Sequence, residues 1–261
     1  MTDIGIELAG HVAIVEIRRP PHNFFDHELI SGIAAAFEHL DKVPECRAIV
    51  LASQGKSFCA GATFNMLSRP ADPERQASAG DDSISPLYEQ AVRLFQTSKP
   101  IVGAIHGAAI GGGLGLALVP DFRVTCPEAV FSANFTRLGF HPGFGLTAML
   151  PDLVGTNQAA LLLYSSRRVN GEEATRIGLA EMCVAQSDVR SAALSLANEI
   201  AQCGPLAVMA TRQPLAGRRA ELFRAATQKE LKEQMRLRKT EDYREGIAAA
   251  RERREPIFHG R

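Results

Sequence analysis

The sequence predicts an α/β fold, a mostly parallel sheet carrying helices and followed by a helical C-terminal region. Three observations predict it. Short continuous apolar runs, Ala48 to Ala52 and Ile101 to Ile105, have the composition of strands buried on both faces, as parallel strands are. Strand, loop and helix patterns alternate through the first part of the chain. From about residue 156 onward helical periodicity dominates.

The elements follow in order. Residues 4–8 and 12–17 are rich in β-branched side chains and turn at Gly10, which reads as two strands. Asp26 to Leu40 carries Leu29, Ile33, Phe37 and Leu40 at helical spacing, with Asp26 as N-cap. Ala48 to Ala52 is a strand, and Ser53 to Phe58 reads as a loop. Residues 69–86 hold three prolines and several Asp and Ser, the most loop-like stretch. Tyr88 to Thr97 reads as a helix, Ile101 to Ile105 as a buried strand, Gly111 to Val119 as a helix opening at a triple glycine, and Phe122 to Thr125 as a strand. Later candidates are helices at Gly171 to Ile177, Asp188 to Ala201, Pro205 to Leu215, Ala220 to Arg238 and Glu241 to Arg254, with a strand near Met182 to Val184.

Composition bounds the function. The 261 residues bury a sizeable core but not two large domains. Hydrophobic residues at 46% and charged residues at 22% are the balance of a soluble globular enzyme. Zero formal net charge gives no basic excess for nucleic acid. No apolar run reaches the roughly 20 residues that span a bilayer, and Met1 to Ile4 does not open a secretory signal. The five cysteines (Cys46, Cys59, Cys126, Cys183, Cys203) form no CxxC pair. This argues against a zinc site and a disulfide framework, and fits a reducing cytoplasm.

Two segments carry chemistry. Gly55-Lys56-Ser57-Phe58-Cys59-Ala60-Gly61-Ala62 and His106-Gly107-Ala108-Ala109-Ile110-Gly111-Gly112-Gly113-Leu114-Gly115 each follow a buried strand. Small residues let another molecule approach the backbone, and the first N–H groups of a helix lack intrahelical partners. Together the loops have the makings of an oxyanion hole, where each pre-aimed N–H donor is worth on the order of 3 kcal/mol. Close helix–sheet packing is the plainer reading of a glycine cluster. Neither segment completes GxGxxG or a P-loop: Leu116 or Leu118 stands where the last glycine of the first motif belongs, and Val50 where the P-loop begins.

These loops resemble those of the crotonase (enoyl-CoA hydratase/isomerase) superfamily, with its F-C-A-G-A-D and G-x-x-x-G-G-G-x-E-L-A phrases. Pro20 to Phe25, Pro120-Asp121-Phe122-Arg123, Leu138 to Gly143, Ser166 to Leu179 and Glu245 to Arg261 resemble further family segments, so the likeness spans nearly the whole chain. The resemblance implies a crotonase (ClpP/crotonase-like) fold. Residues 1–200 would form a repeated β-β-α spiral core, and residues 201–261 a C-terminal helical region for trimerisation and CoA contact. It implies an acyl-CoA substrate, with coenzyme A as part of that substrate and no separate cofactor or metal. It also implies a homotrimer or hexamer. The oxyanion donors would be the N–H groups of Ala62 and Gly112, flanked by Ala60, Gly61 and Gly111, with Phe135 and Phe140 at the acyl end. Arg253 would meet the 3′-phosphate of CoA, although Ala250 replaces the aromatic residue usually found three positions earlier.

The chain departs from the family where the proton chemistry should be. The two glutamate positions of the hydratases hold Gly115 and Phe135, and the aspartate position of some isomerases holds Gly143. Losing one catalytic acid or base typically costs about 10²–10⁴ in rate. Isomerase, hydrolase or decarboxylase chemistry, or non-catalytic acyl-CoA binding, then comes into view. His141, with an ordinary pKa near 6.5, is the substitute proton carrier in the L-G-x-x-P-G-like loop; its alternative is a loop histidine bonded to backbone. Cys59 reads as a small packing residue and His106 as a support for its loop.

Overall fold

The computed structural model describes residues 3–63 and 86–261. Its larger sheet runs, in spatial order, β1 (Ile4–Ala9), β2 (Val12–Ile17), β3 (Ala48–Ser53), β5 (Ile101–Ile105), β7 (Phe122–Thr125) and β10 (Met182–Cys183). β1 and β2 pair antiparallel through the turn at Gly10; the other pairs are parallel. Every residue of β3 and β5 is buried, as their unbroken apolar runs require. A smaller sheet holds β4 (Ser57–Cys59), β6 (Ala108–Ile110), β8 (Val130–Ser132) and β9 (Val169–Asn170). Its first three strands are parallel and β9 runs antiparallel to β8.

The helices are α1 (His27–Asp41), α2 (Pro86–Arg93), α3 (Gly112–Ala117), α4 (Leu146–Val154), α5 (Thr156–Ser165), α6 (Gly171–Arg176), α7 (Val189–Ala201), α8 (Pro205–Leu237) and α9 (Glu241–Glu252). α1 is capped as its sequence predicts, Asp26 Oδ1 accepting the Leu29 N–H at 2.9 Å, and it buries Leu29, Ile33, Phe37 and Leu40.

Several elements differ from the sequence reading. The stretch read as a loop after β3 runs into β4, whose three residues are too few to show a period. The helix read over Tyr88 to Thr97 begins at Pro86 and stops at Arg93. The loop expected over residues 69–86 lies outside the described residues up to its last member, Pro86. The helices read as Pro205 to Leu215 and Ala220 to Arg238 are one helix, α8, with Pro214 inside it. Proline removes one backbone donor and crowds the preceding turn. Tertiary anchoring carries the helix across that break. Arg212 Nε reaches Asp121 Oδ2 at 2.8 Å and Arg219 Nη1 reaches Asp121 Oδ1 at 3.2 Å, one from each side of the proline.

A second anchor ties α8 to the start of α4. Glu230 is fully buried. Its carboxylate accepts the N–H of Gly145 at 2.7 Å, the N–H of Thr147 at 2.9 Å and the Thr147 hydroxyl at 2.6 Å. This holds a sharp turn in which Phe144 and Gly145 are both left-handed, at φ 59° and 72°. Burial pushes the Glu230 carboxyl above its ordinary 4.5, against the pull of those donors. The folded state therefore holds this proton more readily than the unfolded chain, and stability falls as pH rises from 4.5 through the raised value. Glu230→Gln turns an amide NH₂ toward one of these donors, with an expected cost of roughly 1–3 kcal/mol at neutral pH. Unfolding curves taken across pH should also show that the variant lacks the wild-type slope in that window.

Candidate active site

Three neighbouring parallel strands, β4, β6 and β8, deliver three loops to the same edge of the small sheet: Ala60-Gly61-Ala62, Gly111-Gly112-Gly113 and Ala133-Asn134-Phe135. The carboxyl ends of parallel strands are where α/β folds hold ligands. The first two loops touch backbone to backbone. A Cβ on Gly113 would lie 2.0 Å from the Cys59 carbonyl oxygen, and one on Gly61 would lie 2.7 Å from that of Ile110. No side chain fits at either place.

Other contacts brace the first loop. The Phe25 N–H donates to the Gly61 carbonyl at 3.0 Å, and the Ala60 N–H to the His22 carbonyl at 2.9 Å. Buried Asn23 donates to the carbonyls of Gln54 and Ser57 at 2.6 and 2.8 Å. His106 Nε2 lies 2.9 Å from the Gly55 carbonyl, the supporting contact expected of it.

These loops form one wall of a cavity of about 590 Å³. Ala60, Gly61, Ala62, Gly111, Gly112, Asn134, Phe135 and Phe140 all line it. The Gly111 N–H is taken by the Ser132 carbonyl at 2.8 Å. Among the described residues, neither the N–H of Ala62 nor that of Gly112 has an acceptor. Two unfilled amides from adjoining turns thus border one cavity, the arrangement that can hold a carbonyl oxygen as it gains negative charge.

Two of the residues singled out in the sequence are not in this wall. His141 is half-buried, and its Nδ1 sits 2.7 Å from the Pro142 carbonyl oxygen. Arg253 is exposed and lines a second cavity of about 790 Å³, with Arg137, Arg167, Arg168 and Arg254. Asn134 and Leu138 border both cavities. Cys59 is fully buried, and burial pushes its thiol up to about 12, which leaves it an inert packing group.

Other contributors come from helices. Leu87 and Tyr88 of α2, Leu231, Gln234 and Met235 of α8, and Arg238 just beyond it complete the lining. The sequence reading did not pick them out. The available signal was the three-and-four spacing of positions 231, 234, 235 and 238, which puts them on one helix face. The Tyr88 hydroxyl donates to Gln234 Oε1 at 3.4 Å and accepts the Phe144 N–H at 3.2 Å. Burial, with the Glu230 charge behind it, pushes this phenol up, so it stays protonated.

At Gly115 and Gly143 the space for a side chain is already taken. A Cβ on Gly115 would fall 2.6 to 2.9 Å from atoms of Phe144. Phe144 itself is locked among Phe25, Tyr88 and Phe223, with ring centroids 5.4, 6.4 and 5.6 Å away. A Cβ on Gly143 would meet the Tyr88 hydroxyl at 2.5 Å and Gln234 Nε2 at 2.4 Å. Phe135 packs edge-on to Phe140 at 5.3 Å. Among the described lining residues, Tyr88 and Arg238 are the only ones with titratable side chains.

A family model described as Enoyl-CoA hydratase/isomerase matches residues 7–261. The chain belongs to the enoyl-CoA hydratase/isomerase family. It is 32% identical to the (E)-benzylidenesuccinyl-CoA hydratase of Thauera aromatica, over 98% of this chain and 99% of that one. It is 33% identical to an enoyl-CoA isomerase/hydratase of Zymoseptoria tritici, over 97% and 85%. Among solved structures, the enoyl-CoA hydratase/isomerase of Pseudoalteromonas atlantica T6c superposes with a TM-score of 0.84 at 24% identity, covering 99% of this chain and 100% of that one. Pseudomonas aeruginosa DspI does so with a TM-score of 0.76 at 31% identity, covering 99% and 97%. The fold is the crotonase fold, as the motifs imply. None of the described helices is long and apolar enough to cross a membrane.

Because Phe144 occupies the space beside Gly115, Gly115→Glu should not restore the family glutamate. Chemical unfolding should show it destabilised by roughly 1–3 kcal/mol, as overpacked cores are, and adding Phe144→Ala should recover part of that loss.

Proposed function

We propose that the chain binds an acyl-CoA thioester with its carbonyl oxygen between the N–H groups of Ala62 and Gly112, and that these amides stabilise enolate-type charge on that oxygen. The observation that carries the reading is the pair of unfilled amides at one cavity wall, in a chain of the enoyl-CoA hydratase/isomerase family. Hydration through two carboxylates is not part of it. Water addition needs a base for the water and an acid for the α-carbon, and Gly115 and Phe135 supply neither. The reaction is instead one that an oxyanion hole and a neutral phenol can serve. Tyr88 lines the cavity as a neutral phenol; where the enolate forms by loss of CO₂, which needs no base, the phenol supplies the proton that the α-carbon takes up and is reprotonated from solvent. His141 acts, in this reading, through the shape of its loop: its backbone carbonyl accepts Gln234 Nε2 at 3.0 Å, which orients the partner of Tyr88. The C-terminal arginines, Arg253 among them, meet the 3′-phosphate of CoA, and a trimer or hexamer is the working assembly.

A second reading, an acyl-CoA binder without turnover, draws on the lack of any carboxylate among the described lining residues.

Two measurements test the proposal. Ala62→Pro deletes one amide donor, so binding of a saturated acyl-CoA thioester should weaken about ten-fold, while binding of the corresponding CoA thioether, which has no carbonyl, should not change. Equal loss for both ligands contradicts the oxyanion assignment. Crotonyl-CoA, followed by loss of its enoyl thioester absorbance, should hydrate no faster with enzyme than without. Rapid hydration would return the chain to ordinary hydratase chemistry.

A further inference from the structure

Among the described residues, Arg238 is the one cation in the wall of the thioester cavity, and none of their carboxylates pairs with it. The other lining side chains are apolar or neutral: Leu87, Leu138, Phe140, Leu231 and Met235 surround the polar atoms of Tyr88, Asn134 and Gln234. No carboxylate among the described residues forms an ion pair with Arg238. Its Nε–H is shut off from solvent and has no acceptor, the only such buried side-chain polar atom among the described residues. Its charge is close enough to act on the phenols of both Tyr88 and Tyr243.

An unsatisfied guanidinium N–H turned away from water costs free energy in the empty protein. Interaction with the α8 dipole does not account for it. Arg238 is the C-cap residue of α8, and a cation there interacts favourably with the helix end while remaining in solvent. Burying the Nε–H adds nothing to that. Packing does not require it either, since Met or Leu would fill the same wall without a stranded donor. Among the described residues, the Arg238 Nη groups are neither bonded nor shut off, and they are the donors that an occupant of the cavity can reach. Guanidinium offers planar paired donors that match a carboxylate.

Resting on the acyl-CoA reading, we propose that the acyl group this cavity takes carries a carboxylate at the end away from the thioester, and that Arg238 receives it. The loop amides hold one end of the acyl unit and Arg238 the other, with the leucines, Met235 and Phe140 along the methylenes between them. Arg238 is then a specificity-determining residue. It selects dicarboxylic acyl thioesters over simple fatty acyl thioesters.

Calorimetric titration of the full chain with matched pairs tests this: glutaryl-CoA against valeryl-CoA, adipyl-CoA against hexanoyl-CoA, suberyl-CoA against octanoyl-CoA, with free CoA as reference. In at least one pair the wild-type protein should bind the carboxylate-bearing thioester roughly ten- to hundred-fold more tightly. Arg238→Met should erase that preference while leaving the apolar partner's affinity unchanged, and Arg238→Lys should keep part of it. The Met variant should unfold at the same temperature as wild type or a higher one, because it removes an unpaired buried donor. No preference in any pair, or a preference that survives in Arg238→Met, overturns the proposal. So does a uniform loss for all ligands including free CoA, which would assign Arg238 to the CoA phosphates. If no thioester binds more tightly than free CoA, the acyl-CoA reading falls as well, a result distinct from thioesters that bind without discrimination.

Discussion

Two main-chain segments, Cys59 to Ala62 and Ile110 to Gly113, lie against each other with no room for a side chain between them, and most of the site follows from that contact. The parallel pairing of β4 with β6 aligns them, and the two glycines at the crossing, Gly61 and Gly113, allow van der Waals approach of carbonyl to backbone. Backbone at such separation must place its donors somewhere. Some go to neighbours: Gly111 to Ser132, Ala60 to His22. The amides of Ala62 and Gly112 are left over, and they border a cavity. The site is thus a by-product of packing two strand ends too closely for any residue but glycine.

The rest of the cavity is made by elements that press on those loops from outside. α8 is held across its proline by Arg212 and Arg219 on Asp121, and Glu230 ties it to the turn at Phe144 and Gly145. This turn drives Phe144 into the space over Gly115. The same arrangement therefore shapes the pocket and excludes a side chain at position 115 from it. Specific packing at Gly115, and not merely the loss of a glutamate, separates this chain from a two-glutamate hydratase. It would take at least two substitutions to make room for that residue again.

Much of the frame was legible in the sequence. β3 and β5 announced themselves as unbroken apolar runs because both faces of each are buried, and α1 through the spacing of Leu29, Ile33, Phe37 and Leu40 with Asp26 ahead of it. The glycine loops were legible because close approach demands glycine. The small sheet was not, since β4, β6 and β8 have three residues each and no period can show in three residues. Nor was the continuity of α8: Pro214 is a local stop signal, overridden by ion pairs to a residue far away in the chain. The α8 side of the pocket was hidden for the same reason. Nothing local about Gln234 or Arg238 says which cavity a helix face will meet. His141 has chemistry suited to proton transfer, and nothing local says that its Nδ1 will lie against the carbonyl of the next residue.

The central claim is that two amides act on one thioester oxygen. The most direct test is the infrared carbonyl stretch of a ¹³C-labelled, unreactive acyl-CoA thioester, free and bound, read as a difference against the unlabelled ligand. Hydrogen bonding from Ala62 and Gly112 predicts a clear shift to lower frequency on binding, reduced in Ala62→Pro. A bound carbonyl that absorbs where it does in water, or at higher frequency, would contradict the account.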